Sequence, residues 1–382
     1  MRIAIAILVA LANPARADDV HWLQLGAGTA GVMGAGQAWY WRDGASASRG
    51  DWALPGNWSA ITDKLSLDGV RFDPDGFDTN ALKHPLFGTT AYTLGRFSGL
   101  SPLGSFAYAS ALSLVWETFG EWREYASIND LLATSTSGVP IGEALYQIVR
   151  DPRAARYELR LGTGTIETGA GERFDASVEA NGSRIAISIP FDRSGPRARD
   201  ILARSELGRI ATQFRYHYLL GETWDLWANV QAGPTFARRA DHVTIGVDTG
   251  ASFAMLRSFA FDAWRAEHPN DVVRGVLRNG HPYYYGAGLV VAPRVDYADD
   301  HVVAGAELST AIYRSLDGHD RFASDALQLV DTETFARAYI GAVAGHAIVR
   351  LDTSLRHRGS AIGTCHGGYD EHAIVVSVGV RI

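Results

Sequence analysis

The sequence predicts a mainly β protein, an antiparallel β-barrel of about 10–12 strands preceded by an N-terminal α-helical module. Three observations lead to this fold class: long stretches of alternating polar and apolar residues, an N-terminal segment typical of exported proteins, and the lack of about 18 uninterrupted apolar residues. Strands of about ten residues with one apolar and one polar face are typical of bacterial outer-membrane barrels.

The alternation is clearest in the second half of the chain. Apolar residues occupy every second position of Trp224–Phe236, and the same pattern recurs in 210–220 and 243–253. Since successive side chains of a strand point to opposite faces, each segment has an apolar and a polar side. In the last strand one face carries Ile374, Val376, Val378, Val380 and Ile382.

The N-terminus has the features of a secretory signal peptide. Arg2 supplies a positive charge, Ile3–Ala12 is apolar throughout, and Ala15-Arg16-Ala17 fits a cleavage site. We therefore expect an exported chain that begins at Asp18 and resides in the outer membrane of a Gram-negative-type bacterium. The predicted organisation is a signal peptide at 1–17, a helical and irregular module at 18–155, and a barrel at 156–382.

Composition excludes some partners. The chain has 35 Lys and Arg residues against 42 Asp and Glu residues, a net charge of −7. Such a balance argues against a nucleic-acid partner, which calls for a basic face, and leaves outer-membrane lipid as the expected partner. Cys365 is the single cysteine, so an internal disulfide and a zinc-type cysteine cluster are both excluded.

The barrel region contains eleven candidate strands. They are 156–166, 173–180, 184–191, 206–220, 223–238, 242–256, 285–298, 302–316, 334–343, 347–357 and 371–382. Asn181-Gly182 and Gly221-Glu222 predict tight hairpin turns. Because bacterial barrels close with an even number of strands, either one candidate is wrong or another strand lies upstream.

Two long connections interrupt these strands. The segment 257–284 contains a predicted short helix, Phe261–Glu267. The segment 317–332 is acidic and ends near Asp331, and we interpret it as an exposed loop. Its aspartate spacing does not match an EF-hand.

The N-terminal module is helical in pattern. Apolar residues recur at three- and four-residue spacing in Leu103–Tyr125, with Ser101 as the predicted N-cap. Further helices are predicted at His84–Phe97 and, from Pro140 in its first turn, at 140–149. The glycines between Gly26 and Gly36 resemble small-residue helix packing, and 36–80 is expected to be extended and irregular.

Polar residues within these helices form the candidate site. Glu117 and Glu121 are four residues apart, which predicts that they stack on one helical face and repel each other unless a proton or cation intervenes. Asp130 follows Ser127 in a helix-start pattern. The predicted polar cluster consists of His84, Glu117, Glu121, Ser127, Asp130 and Glu143, with Arg96 as a binding residue.

The spacing of these residues resembles a known family. The residues that carry the resemblance are His84-Pro85, Gly88, Tyr92, Arg96, Gly99, Ser105, Ser113, Trp116-Glu117, Glu121, Ser127, Asp130, Gly138 and Gly142-Glu143. Over roughly residues 70–150 they resemble a bacterial family of exported proteins known only as a domain of unknown function, whose members look like barrels after the motif. The Glu…Ser-x-x-Asp…Gly-x-x-x-Gly portion is faintly similar to the core of VanZ-like membrane proteins. This chain departs from that core at Thr134, where Asn is common.

Two functions remain open from the sequence. The first is a plugged barrel, structural or transport-related, in which the module packs in or under the barrel and its carboxylates pair with Arg96 or with Arg209, Arg215 and Arg294. The second is a membrane-associated hydrolase acting on lipid or envelope glycan, through a carboxylate and histidine site with a possible divalent cation.

A hydrolase triad is the weaker form of the second function. Ser127, His84 and Asp130 supply its residue types, yet no G-x-S-x-G motif surrounds the serine. Thr364-Cys365-His366 also offers a thiol and an imidazole, but neighbours in sequence rarely face each other.

Overall fold

The structure is a computed structural model that describes residues 20–41, 54–66, 69–71, 83–166, 169–180, 183–192, 195–196, 200–207, 210–219, 223–232, 235–269, 283–315 and 329–382. These residues fall into two compact units, one up to Tyr146 and one from Gln147 onward. The predicted signal peptide, 1–17, lies outside the described residues.

The first unit is helical. Its helices are α1 (Trp22–Trp39), α2 (Trp58–Leu65), α3 (His84–Phe97), α4 (Pro102–Val115) and α5 (Ile128–Arg150), with a π-helical turn at Trp116–Gly120. The two-residue strands β1 (Val70–Arg71) and β2 (Ala126–Ser127) pair in parallel. Within the described part of the chain, no helix is both long and apolar enough to cross a membrane.

Two helix boundaries differ from the sequence prediction. The helix predicted at Leu103–Tyr125 ends at Val115 and continues as the π-turn, while α5 begins at Ile128 instead of near Pro140. Ser127 caps α5, because its hydroxyl accepts a bond from Asp130 N at 3.1 Å. Pro140 therefore lies inside the helix, where it removes only one backbone hydrogen bond. The helix His84–Phe97 and the Ser101 cap of α4 are confirmed.

The second unit is an antiparallel β-barrel. Its strands are β3 (Arg156–Ile166), β4 (Gly169–Ala180), β5 (Ser183–Asp192), β6 (Gly195–Pro196), β7 (Asp200–Leu207), β8 (Ile210–Leu219), β9 (Thr223–Ala232), β10 (Thr235–Ala240), β11 (Val243–Arg257), β12 (Tyr283–Ala298), β13 (Val302–Ser315), β14 (Leu329–Ala344), β15 (Ala347–Ile362) and β16 (Cys365–Arg381). Most strands pair with the next along the chain. The exceptions are the two-residue β6, which pairs only with β5 so that β7 takes its place beside β5, and β9, which pairs with β11 instead of β10.

The sheet closes on itself. The last strand, β16, pairs with the first, β3, from Ala373↔Ile166 to Arg381↔Glu158. Strands β9 and β10 pair with successive halves of β11, so together they occupy the place of one strand in the wall. With β6 off the ring and β9 and β10 counted together, the 14 strands of the described sheet make a closed ring of twelve. The predicted antiparallel barrel is confirmed.

The sequence pattern missed one strand, β7. The candidate 206–220 combines the end of β7 with β8, and the missing strand lies within the predicted set instead of upstream of it. The charged residues Asp200, Arg204 and Glu206 share one face of Asp200–Leu207, but Leu202 lies on that face and Ser205 on the other, so the alternation is imperfect. The turn residues Asn181-Gly182 and Gly221-Glu222 lie outside the described residues, and Ala180↔Ser183 and Leu219↔Thr223 pair on either side of them.

The faces of the wall are inverted relative to a soluble protein. The outward face is apolar and exposed, and the row predicted for the last strand, Ile374 to Ile382, lies on it. Further outward residues are Leu159, Leu161, Ile245, Leu289, Val291, Leu308, Ile312, Ile340, Val349 and Leu351. The inward face buries polar and charged residues, among them Arg160, Asp248, Ser252, Asp331, Arg350, Arg358 and Ser377.

Asp331 corrects the prediction of an exposed acidic loop at 317–332. Strand β14 begins at Leu329, so Asp331 lies in the wall with its side chain fully buried. Its carboxylate lies 3.3 Å from Arg358 and also accepts a hydrogen bond from Ser360. The rest of the predicted loop, 317–328, lies outside the described residues.

The two ends of the barrel differ. At the end that holds Arg156 and Ile382, the connections are short, such as Asp299–His301 and Gly345-His346. The connections between β11 and β12 and between β13 and β14 leave from the opposite end and are the longest. The predicted helix α6 (Phe261–Glu267) is confirmed in the first of these.

Leu308 and Ser309 test the face assignment, because they are neighbours at the centre of β13 and face opposite sides of the wall. We expect Leu308→Arg to destabilise the folded barrel by about 2–4 kcal/mol, the cost of an arginine at mid-membrane. Ser309→Arg places the same charge in the lumen and should cost less than about 1 kcal/mol. Urea titration in lipid vesicles measures both, and equal losses would contradict the inverted faces.

Candidate functional site

Helices α3 and α5 approach each other closely at two glycines. A Cβ atom on Gly88 would lie 1.8 Å from the Thr134 carbonyl oxygen, and one on Gly138 would lie 2.3 Å from the Gly88 carbonyl carbon. Only glycine fits at such a backbone contact. The glycines of the motif therefore bring its polar side chains on α3 and α5 together.

The first polar group surrounds Glu143. Arg96 Nε donates to Glu143 Oε2 at 2.7 Å and the Tyr92 hydroxyl donates to the same oxygen at 2.7 Å. Arg96 also donates to the Leu100 carbonyl at 2.6 Å and lies 4.2 Å from the ring centroid of Tyr146. Burial raises the pKa of Tyr92 well above its ordinary value, and the negative charge of Glu143 raises it further. Glu143 is thus held as a buried carboxylate by a paired guanidinium.

The second polar group is a chain of hydrogen bonds and one ion-pair contact from Glu117 to Thr134. Glu117 Oε2 accepts from Ser127 N at 2.9 Å, and the Ser127 hydroxyl accepts from Asp130 N at 3.1 Å. Asp130 Oδ1 lies 3.4 Å from His84 Nε2, and His84 Nδ1 lies 3.2 Å from the Thr134 hydroxyl. The His84 side chain is 13% exposed and that of Asp130 is 1% exposed. Within this pair the histidine is therefore the more accessible side chain.

Glu117 lies within the π-helical turn, and Glu121 directly follows it. Glu121 N bonds to Trp116 O, five residues back, so the backbone that joins the two glutamates is π-helical instead of α-helical as predicted. That their carboxylates stack on one face stays a prediction. Glu121 Oε1 instead accepts from Trp116 Nε1 at 2.9 Å.

Lys64 is a site residue that the sequence analysis missed. Its ammonium donates to the carbonyl oxygens of Glu117 and Glu121, the latter at 2.7 Å, and so caps the π-turn from α2. Burial lowers the pKa of Lys64 to about 8, although Glu117, Glu121 and Glu124 oppose this shift. Nothing in the local sequence around Lys64 predicts this contact.

The structure thus distributes the predicted cluster over two groups. His84, Glu117, Ser127 and Asp130 belong to one chain of hydrogen bonds and an ion-pair contact, whereas Glu143 belongs to the other group with Arg96. Tyr92 and Thr134, which were not predicted as members of the cluster, belong to these groups as well. In the described ranges, no three His, Cys, Asp or Glu side chains are arranged to hold a metal ion.

Of the three barrel arginines that were predicted to pair with a plug, the structure describes the side chain of one. Arg294 binds Asp248 at 3.1 Å, within the barrel wall. Arg209 lies outside the described residues, as does the side chain of Arg215. Within the helical unit, Arg96 does pair with a carboxylate of the predicted cluster, Glu143.

Known proteins resemble the chain in two regions. A family model described as a domain of unknown function, DUF3943, matches residues 69–160, the region of the polar motif. No curated protein matches the chain.

Solved structures resemble the barrel region. OmpTdeltaL8, a loop-deletion mutant of the outer-membrane protein OmpT of Vibrio cholerae, is 9% identical, covers 59% of this chain and 97% of its own, and gives a TM-score of 0.24. A porin is 10% identical over 60% of this chain and 98% of its own, with a TM-score of 0.20. Because these TM-scores are low, the barrel fold is assigned from the strand pairing alone.

Glu143→Gln tests the buried pair with Arg96. The substitution keeps the shape but leaves the Arg96 guanidinium, 8% exposed, without its counter-charge. We expect a loss of about 3–5 kcal/mol in the free energy of unfolding of the helical unit, measured by urea titration. Glu121→Gln is the matched control, because an amide oxygen still accepts the Trp116 bond, and should cost below about 1 kcal/mol. Similar losses in both variants would contradict the pairing.

Lys64 predicts a pH dependence of stability. The pKa of Lys64 is about 8 in the folded chain and 10.5 in the unfolded chain. Between these two pH values the unfolded state therefore binds more protons than the folded state. Stability should therefore rise between pH 8 and about 10, before tyrosine ionisation in the unfolded chain opposes the trend. Urea titrations over this window measure the slope. Lys64→Met should remove this contribution, and an unchanged slope in that variant would refute the assignment.

Proposed function

We propose that the chain is an outer-membrane β-barrel protein whose helical module acts as a plug-like element, structural or transport-related. The observation that carries the proposal is the inverted barrel wall, with aliphatic side chains outside and charged side chains inside. In water such an outer face would be unfavourable, whereas in lipid it is the face that a membrane barrel requires.

The limits of the apolar band also fit a membrane. His357 and Asp370 face outward and form an exposed pair at 2.7 Å, beyond the apolar residues of their strands. Tyr157 and Tyr297 lie towards the opposite end of the wall, and aromatic residues flank the apolar band of membrane barrels. The short connections lie at the end that holds Arg156 and Ile382, which would be the periplasmic end. Export by the predicted signal peptide belongs to this proposal.

The pairing within the helical unit supports a structural role for the motif. Glu143 is bound by Arg96 and Tyr92, and Glu117 accepts from the backbone of Ser127. Such bonds fix helix positions, as a module that packs in or under a barrel and restricts its lumen would need. The polar residues of the motif would then stabilise the plug.

One observation favours the alternative, a membrane-associated hydrolase. Asp130 lies 3.4 Å from Nε2 of His84, and a carboxylate can orient and charge-stabilise a histidine that acts as a general base. His84→Asn would separate the two functions. A hydrolase would lose turnover of lipid or glycan with its fold intact, whereas a plug would show no such turnover before or after the change.

Swelling of liposomes that contain the full chain tests the plug. We expect slow swelling in a neutral sugar such as arabinose for the unmodified protein, because the module restricts passage. Glu143→Gln should speed swelling about tenfold or more, since loss of the Arg96 pair loosens the module. Glu121→Gln is the control and should swell as slowly as the unmodified protein.

Heat-modifiable gel migration shows whether each variant retains its folded barrel. A folded Glu143→Gln variant that swells no faster than the control would overturn the plug. A chain that stays soluble and monomeric without detergent would overturn the membrane assignment itself.

A further inference from the structure

A charged cavity of about 160 Å³ lies in the barrel lumen, between β3, β4 and β5 on one side and β14, β15 and β16 on the other. Among the described side chains that line it are five arginines and four carboxylates. The arginines are Arg160, Arg173, Arg184, Arg337 and Arg356, and the carboxylates are Glu158, Asp175, Asp352 and Glu371. The described side chains of the lining therefore carry one surplus positive charge. Arg350, bound to Asp352 and Glu158, and Glu179, opposite Arg184 on β4, lie outside the lining, and their charges offset each other.

Asp352 is the centre of this network. Its carboxylate accepts from Arg160 at 2.8 Å, from Arg337 at 2.8 Å and from Arg350 at 2.6 Å. Each of these bonds is charge-assisted. Arg350 lies on β15 with Asp352, Arg337 lies on the neighbouring β14, and Arg160 lies on β3. Three arginines are thus already neutralised in part by one partly buried acid.

The remaining carboxylates are also bound by arginines. Asp175 lies 2.6 Å from Arg173, and Glu371 accepts from Arg356 at 3.0 Å. Glu158 Oε1 lies 2.7 Å from Arg160. Every carboxylate of the cavity therefore has an arginine partner.

Arg184 differs from the other arginines of the lining. It lines the cavity from β5 and is attracted by the charges of Glu179 and Glu158, but no hydrogen bond or ion pair joins it to a residue that the structure describes. A guanidinium in a partly dehydrated lumen gains most from a carboxylate, whose two oxygens match its planar fork. The surplus charge of the cavity thus resides at a residue able to bind an anion.

Apolar residues form another part of the wall. Phe335, Ala186 and Ala373 line the cavity, and the Arg356 guanidinium lies 5.1 Å from the Phe335 ring centroid. An aromatic ring and a stacked guanidinium offer flat surfaces to a flat ligand. The cavity thus combines one anion-binding group with an apolar wall.

We propose that this cavity binds a small monocarboxylate with a flat apolar body, with Arg184 holding the carboxylate and Phe335 contacting the body. One surplus charge matches a monoanion, and a volume of about 160 Å³ admits a small molecule only. The inference goes beyond the proposed function, because binding in the lumen requires neither a plug nor passage through the barrel.

Calorimetric titration of the detergent-solubilised full chain with benzoate tests the proposal. We expect saturable binding of benzoate and none of benzamide, its neutral analogue. Arg184→Gln should weaken benzoate binding at least about tenfold, because the charge-assisted contact is lost. Arg239→Gln is the matched control, since Arg239 is an exposed arginine outside the cavity, and should bind benzoate normally.

A second variant tests the cavity without changing its charge. Ala186→Phe fills space in the cavity and should abolish binding, whereas Ala338→Phe, on the outward face of β14, should leave it unchanged. Heat-modifiable migration confirms folding of each variant. Absence of benzoate binding to the unmodified chain, or equal binding by folded Arg184→Gln or Ala186→Phe, would overturn the inference. Failure of the liposome swelling test alone would leave it standing.

Discussion

The closure of the sheet by β16 and β3 is the constraint on which the rest of the barrel depends. Backbone N–H and C=O groups find no water in a hydrocarbon layer, so an open sheet edge would leave a row of them unpaired at several kcal/mol each. The pairing from Ala373↔Ile166 to Arg381↔Glu158 removes both edges at once. Because the wall is then continuous, each strand must present one face to the outside and one to the lumen.

The lumen shows the consequence for charged residues. Side chains that face inward lose much of their water, so a charge there is stable only with a partner of opposite sign. Asp352 meets this requirement with Arg160, Arg337 and Arg350, and Asp331 meets it with Arg358. The pair with Arg160 links β15 to β3, which is distant in sequence, whereas the others lie within β15 or between the consecutive strands β14 and β15.

The helical unit also buries polar side chains, but between helices instead of inside a barrel. Gly88 and Gly138 allow two helices to touch through their backbones, which buries the polar residues beside them. Those residues are satisfied by Arg96 with Glu143 and by the chain from Glu117 to Thr134. Packing geometry and hydrogen bonding together therefore explain the fixed spacings in the motif. Of these contacts, His84 beside Asp130 is the one best suited to acid–base chemistry.

The sequence by itself determined the barrel, its outward rows and most strand positions, because an alternating pattern reports directly on two faces of a strand. It also located the motif and the helix His84–Phe97. Only the tertiary structure decided the charged strand Asp200–Leu207, the burial of Asp331, the π-turn after Val115 and the contacts of Lys64 and Asp352. Most of these depend on a partner outside the local segment, such as Lys64 for the π-turn and Arg160 for Asp352, and a local pattern of hydrophobicity carries no information about such a partner.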